Sequence, residues 1–157
     1  MKYKGKKRLG RVFAEIIYEK ILEELSDLST LENFTEPIII PIPLSRERYR
    51  ERGFNQAEII CRELEKISAE RGGPQLKMEG AILIKPRETT HQAHIKDRGE
   101  RLKNVIGSFS VKDPDILKNK NIILIDDITT TGATLGEARK VLRAAGARKV
   151  IAFTVAH

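Results

Sequence analysis

The chain has 157 residues, 40% of them apolar and 32% charged, which is the length and composition of one globular domain with a core of its own. No run approaches the ~18 uncharged residues of a membrane-spanning helix, and the single cysteine, Cys61, excludes an intrachain disulfide and a cysteine-built zinc cluster. The formal charge is +7, and Lys2, Lys4, Lys6, Lys7, Arg8 and Arg11 supply six of those charges with no acid among residues 1–11.

That basic start is read in two ways: a solvated terminal segment, or a contact for nucleic acid or another polyanion. It is not a secretory leader, because Glu15, Glu19 and Lys20 interrupt the apolar stretch that follows. A cytoplasmic protein is expected. Leu9, Val12, Phe13, Ile16, Ile17, Ile21 and Leu25 recur at three- and four-residue steps, predicting an amphipathic helix over Lys7 to Leu25. "IIIPIP", Ile38 to Pro43, reads as a short aliphatic strand that prolines close.

The next stretch, "LSRERYRERGFNQ", reads as a loop carrying Arg46, Arg48, Arg50 and Arg52, with Gly53 as a break. A second helix follows, whose apolar face is Phe54, Ala57, Ile60, Cys61, Leu64 and Ile67 and which "RGGPQ" stops. Cys61 is expected there as a buried structural thiol. Ala81 to Lys85 and Val105 to Val111 are candidate strands, separated by about twenty polar residues without an apolar period. A stretch of that kind inside a compact domain is usually functional or mobile.

The last third reads as strand, loop, helix, strand: Ile122 to Ile125, "DDITTTGAT", a helix with Leu135, Ala138, Val141, Leu142 and Ala145 on one face, Gly146 as its stop, and Lys149 to Val155. Two strands joined by a crossover helix are expected to be parallel. Ligands bind beyond the carboxyl ends of strands in an open parallel sheet, so the arginine loop and the Asp/Thr loop should face one crevice.

The helix beginning near Thr134 offers free N–H groups and a positive dipole end to an anion. Thr129, Thr130, Thr131 and Thr134 add hydroxyls, and Gly132 lets the backbone close in. The loop is neither a Walker loop nor a dinucleotide fingerprint. Asp126 and Asp127 beside such an anion suit a ligand with vicinal hydroxyls or a hydrated Mg²⁺; the competing reading, that they cap the helix, accounts for one aspartate and not both. Phosphate plus diol describes a ribose 5-phosphate.

Two acids after an aliphatic strand, then a Thr/Gly-rich loop and a helix, resemble the 5-phosphoribosyl 1-pyrophosphate (PRPP) signature of type I phosphoribosyltransferases. "KYKGKKRLGR", "PIPLSRERYRERGFNQA", "RETTHQAHIKDRGERLKNVIGSF" and "IILIDDITTTGATL" extend the likeness over nearly the whole chain to one branch, the ComF (competence protein F) family. The resemblance implies a single α/β domain over 1–157: an open, mainly parallel sheet flanked by helices, with a flexible loop or hairpin over the site. It places Asp126, Asp127, Thr129, Thr130, Thr131, Gly132, Ala133, Thr134, Ser45 and Arg46 at PRPP. Asp126, Asp127 and Arg46 take catalytic roles, and Mg²⁺ is held by the two aspartates mainly through water.

Arg87, Thr90, Gln92, Arg101 and Asn104 would belong to the flexible loop. The implied reaction is displacement of pyrophosphate at the ribose anomeric carbon by a nitrogen nucleophile, in a protein linked to DNA uptake. The likeness leaves room for a homodimer and for a nucleic-acid contact through residues 1–11; a nucleic-acid-associated accessory protein with a vestigial PRPP site is the alternative. An aspartate phosphohydrolase fits less well, because neighbouring aspartates on a strand should point in opposed directions.

Three departures qualify the likeness. Thr130 stands where several purine enzymes have an acid, which makes a purine acceptor less expected. The cysteine-rich zinc ribbon of many relatives has no counterpart, so no structural zinc is expected. Little chain follows the last strand to build an acceptor-binding hood.

Overall fold

The computed structural model describes residues 2–31, 33–85, 107–128 and 132–156. Its frame is a four-stranded parallel sheet. Strand β1 (Ile38–Pro41) pairs with β2 (Lys77–Met78) on one side and β5 (Asn121–Ile128) on the other, and β5 pairs with β6 (Lys149–Ala156), giving the order β2-β1-β5-β6. All three pairings are parallel, as a β5-helix-β6 unit requires. A small antiparallel pair, β3 (Leu83–Ile84) with β4 (Ser110–Val111), stands apart from the sheet.

Strand alternation divides the core into two layers. Ile39, Ile123 and Ile125 face helices α1 (Lys2–Leu31) and α3 (Gln56–Arg71), where Ile17, Ile21, Ile60, Leu64 and Ile67 are fully buried. Ile38, Ile40, Ile122 and Leu124 face Ala138 and Leu142 of α4 (Ala133–Ala144), together with Leu83, Phe109 and Leu117. Each such aliphatic side chain contributes about 1.5–3 kcal/mol of hydrophobic stabilisation. The site is therefore mounted on strands held from both faces.

Cys61 is fully buried, and burial raises its thiol well above the ordinary range, in keeping with the structural role expected of it. Gly10 explains how closely α1 lies on α3: a Cβ there would run into the Ile59 side chain. No helix among the described residues is long and apolar enough to cross a membrane.

Several elements differ from expectation. The basic start is no tail: the first helix runs from Lys2 to Leu31, so Lys4, Lys6, Lys7, Arg8 and Arg11 sit on its first three turns. Arg11 pairs with Glu70 at 2.7 Å and with Glu15 at 3.2 Å. The arginine stretch is not a plain loop either. Arg46–Arg52 forms a short helix, α2, capped by Ser45 at one end and by Gly53 in the left-handed region at the other.

Phe54 precedes α3 rather than joining its face, and the Lys6 amine stands 3.9 Å from its ring centroid. The first strand stops at Pro41 instead of Pro43, the third and fourth are two-residue pieces of the spans expected, and the fifth runs three residues past Ile125. Lys77–Met78 is a strand that the local pattern does not mark, because it contributes only two residues to the edge of the sheet.

Candidate functional site

The parallel pairing of β1 with β5 brings the two polar segments together. Pro41 stands opposite Ile125, and the Ile42 N–H donates to the Ile125 carbonyl at 2.9 Å, so the two strands deliver their following segments side by side. One leads into α2 and its arginines. The other carries Asp126 and Asp127.

Both aspartates still belong to β5, since Asp126 pairs with Thr154 and Ile128 with Ala156. The pleat assigns them to opposite faces, yet they do not diverge as that alternation alone suggests. Asp126 Oδ1 turns back to accept the Asp127 N–H at 2.9 Å, and the two carboxyl groups interact through a hydrogen bond. Burial raises the Asp126 carboxyl to about 7, helped by the hydrogen bond and the charge of Asp127. The Asp127 N–H and the Arg52 guanidinium pull in the opposite direction. A half-buried carboxyl pair, once ionised, favours a cation or hydroxyl donor brought to it.

The position before α4 is Gly132, at φ 73°, with no side-chain cap. Its Cβ would meet nothing within 4 Å, so the demand for glycine there is conformational rather than spatial. Ala133 and Thr134 open α4 and are half-buried. Thr129, Thr130 and Thr131 lie outside the described residues, as do Arg87, Thr90, Gln92, Arg101 and Asn104. The β3–β4 pairing sets Ile84 opposite Ser110.

Ser45 is buried, and its Oγ accepts the Arg48 N–H at 3.2 Å as the N-cap of α2. Arg46 opens that helix and is exposed. The cation whose charge acts on Asp126 is Arg52, in the last turn of α2. Sequence reasoning singled out Arg46 instead.

Asn55 was missed as well. It is buried, its Nδ2 donates to the Ile42 carbonyl at 3.0 Å, and its Oδ1 accepts the Ala57 N–H at 3.1 Å as the N-cap of α3. One side chain thus joins the end of β1 to the start of α3 and closes the α2 segment at its base. The signal was present, as asparagine directly before a helical period is a cap pattern.

An open cavity of about 470 Å³ between α3 and the turn after β2, lined by Glu58, Arg62, Glu65, Met78, Gly80 and Ala81, contains none of these residues. Among the described residues no group of three or more His, Cys, Asp or Glu is gathered around one point. The donor set at the strand ends is therefore a carboxylate pair with an arginine nearby. Such a pair suits a Mg²⁺ that keeps most of its water and binds substrate phosphates.

Residues 47–157 match the model of the phosphoribosyl transferase domain family. The competence protein ComFC of Streptococcus pneumoniae is 34% identical over 98% of this chain and 59% of its own. The ComFC of Bacillus subtilis is 37% identical over 75% of this chain and 43% of its own. The chain thus spans from two fifths to three fifths of the length of these relatives. A Trypanosoma cruzi hypoxanthine phosphoribosyl transferase shares the fold at a TM-score of 0.54 and 9% identity, over 94% of this chain and 64% of that one. The chain belongs to the phosphoribosyl transferase domain family, in its ComF branch.

Proposed function

We propose that residues 1–157 form one domain that binds PRPP and transfers its 5-phosphoribosyl group to a nitrogen nucleophile. The observation that carries this reading is the adjacency of the β1 and β5 ends, which aligns the arginine helix with the aspartate pair and brings the Arg52 charge to bear on Asp126. In the proposed reaction the anomeric C–O bond to pyrophosphate breaks and a C–N bond forms. Pyrophosphate leaves with the electron pair, and the nitrogen gives up its proton.

Asp126 and Asp127 accept hydrogen bonds from the ribose 2- and 3-hydroxyls and favour the cationic character at the anomeric carbon. The segment Thr129 to Thr134, ahead of α4, holds the 5-phosphate. Arg52 and Arg46 carry leaving-group charge from α2, and Ser45 sets the first turn of that helix. Mg²⁺, when bound at the aspartate pair, neutralises charge on the pyrophosphate. Arg87, Thr90, Gln92, Arg101 and Asn104 close over the bound ligand and exclude water.

The relatives' names support a role connected with competence. The second reading is a nucleic-acid-associated protein whose PRPP site is vestigial. It is favoured by the basic, largely exposed first turns of α1. Isothermal titration with PRPP and Mg²⁺ tests the binding claim; release of pyrophosphate from PRPP in the presence of candidate amines tests transfer. Saturable binding without pyrophosphate release under any amine would favour the second reading over the first.

A further inference from the structure

The described surface leaves five large hydrophobic side chains exposed, and three of them lie on one stripe of α1: Leu9, Val12 and Ile16, at 48%, 52% and 45% exposure. Their three- and four-residue spacing is that of a coiled-coil seam. At about 100° per residue the stripe lies roughly 130–140° around the axis from the buried line of Gly10, Ala14, Ile17 and Ile21. That buried line faces α3 and β6. Arg11 and Glu19, on the helix flank between the two lines, reach α3 through Glu70 at 2.7 Å and Arg71 at 2.6 Å. The Leu9–Ile16 stripe therefore faces away from the molecule's own core.

A second, independent observation concerns charge. Lys4, Lys6, Lys7, Arg8 and Arg11 fill the first part of α1, while Glu15, Glu19, Glu23, Glu24 and Asp27, with Lys20 among them, fill the second. The first turn has no acid and the last turn no base. This is the reverse of what the helix dipole favours, so the helix is charged against itself. An antiparallel neighbour crossing at Val12 would set the basic residues 4–11 of one helix beside the stretch of the other that holds Glu15 and Glu19.

We propose that α1 is the dimer interface of this protein, packing antiparallel on α1 of a second copy about a twofold axis at Val12. The interface is isologous, as a single self-complementary patch requires. Val12 meets its own counterpart, Leu9 packs beside Ile16 of the partner subunit, and Arg8 lies against Glu15 of the partner subunit. The second copy is favoured over a foreign protein because the stripe and the reversed charges together are complementary to themselves. An interface of one helix pair falls below the roughly 1,200 Å² of a standard complex, so the dimer is expected to be weak, with a dissociation constant of about 10–100 μM. It does not depend on PRPP chemistry and can fail without affecting that reading.

Sedimentation of the full chain from roughly 5 to about 500 μM, a range chosen to bracket that affinity, tests the proposal. The weight-average mass should rise from 17.8 kDa toward twice that value. Val12→Glu should hold it at the monomer value throughout, with an unchanged far-ultraviolet spectrum because the position is half exposed. Val12→Cys should form a reducible dimer on oxidation, uncomplicated by Cys61, which has no exposure. Arg8→Glu and Glu15→Arg should each weaken association several-fold and together restore it; this pair decides the matter even if Val12→Glu does not fold. A wild-type chain that stays monomeric at the highest concentration, or a dimer indifferent to Val12→Glu and to the charge exchange, would overturn the proposal.

Discussion

At the residue scale the molecule turns on Asp126, a carboxyl that burial and its neighbour hold at about 7. In the unfolded chain an aspartate titrates near 4, so folding raises the value. The stabilisation that comes with the retained proton is complete below about pH 4 and is lost as pH rises through 7. Asp126→Asn should therefore raise the unfolding free energy by about 1–2 kcal/mol at pH 8 and by progressively less toward pH 5, as urea titrations would measure. A ligand that prefers the ionised pair reverses the balance. Binding of PRPP with Mg²⁺ near pH 7 should release up to about one proton per site, detectable by calorimetry in buffers of different ionisation enthalpy. Arg52→Gln removes a charge that lowers the Asp126 value; the pH at which PRPP binding is half-lost should move upward, whereas a purely structural role for Arg52 would leave it in place. Gly132→Ala meets no atom but must adopt φ 73°, which should cost about 1–2 kcal/mol of stability.

At the element scale, Asn55 links β1, α2 and α3 through two buried hydrogen bonds. Asn55→Ala forfeits the α3 cap and leaves the Ile42 carbonyl without that donor, for an expected loss of about 1–3 kcal/mol in chemical denaturation. The main elements were legible because their signals are periodic: the α1 and α3 stripes, the aliphatic runs of β1 and β5, and the β5-α4-β6 unit all depend on residues buried against the sheet. The short pieces were not. β2 has two residues, and no pattern of period two can declare itself over that length. α2 is charged on every side, has no buried residue, and is held by Ser45 and Gly53 at its ends, so no apolar period betrays it. That omission also hid Arg52, in the last turn of α2, whose charge acts on Asp126. The aspartate pair was legible in kind, but its inward-turned hydrogen bond was not, because strand alternation alone directs the two side chains apart.

At the scale of the whole molecule, the sheet does the organising. Parallel pairing of β1 and β5 places an arginine-bearing helix and an acidic strand end at one edge, and two layers of aliphatic side chains hold that edge from both sides. The basic charge that looked like a terminal tail is instead built into α1, where it stands opposite an acidic half on the same helix. The central claim is that this edge is a PRPP site. Titration of the intact protein with PRPP in the presence of Mg²⁺, beside Asp126→Asn, Asp127→Asn and the double variant, tests it most directly. Saturable binding should be seen with the intact protein, weakened about 10- to 100-fold by each single substitution, the range for a hydrogen bond to a charged group. Absence of binding at about millimolar PRPP, an affinity too weak to specify a ligand, or equal binding by the double variant, would contradict it.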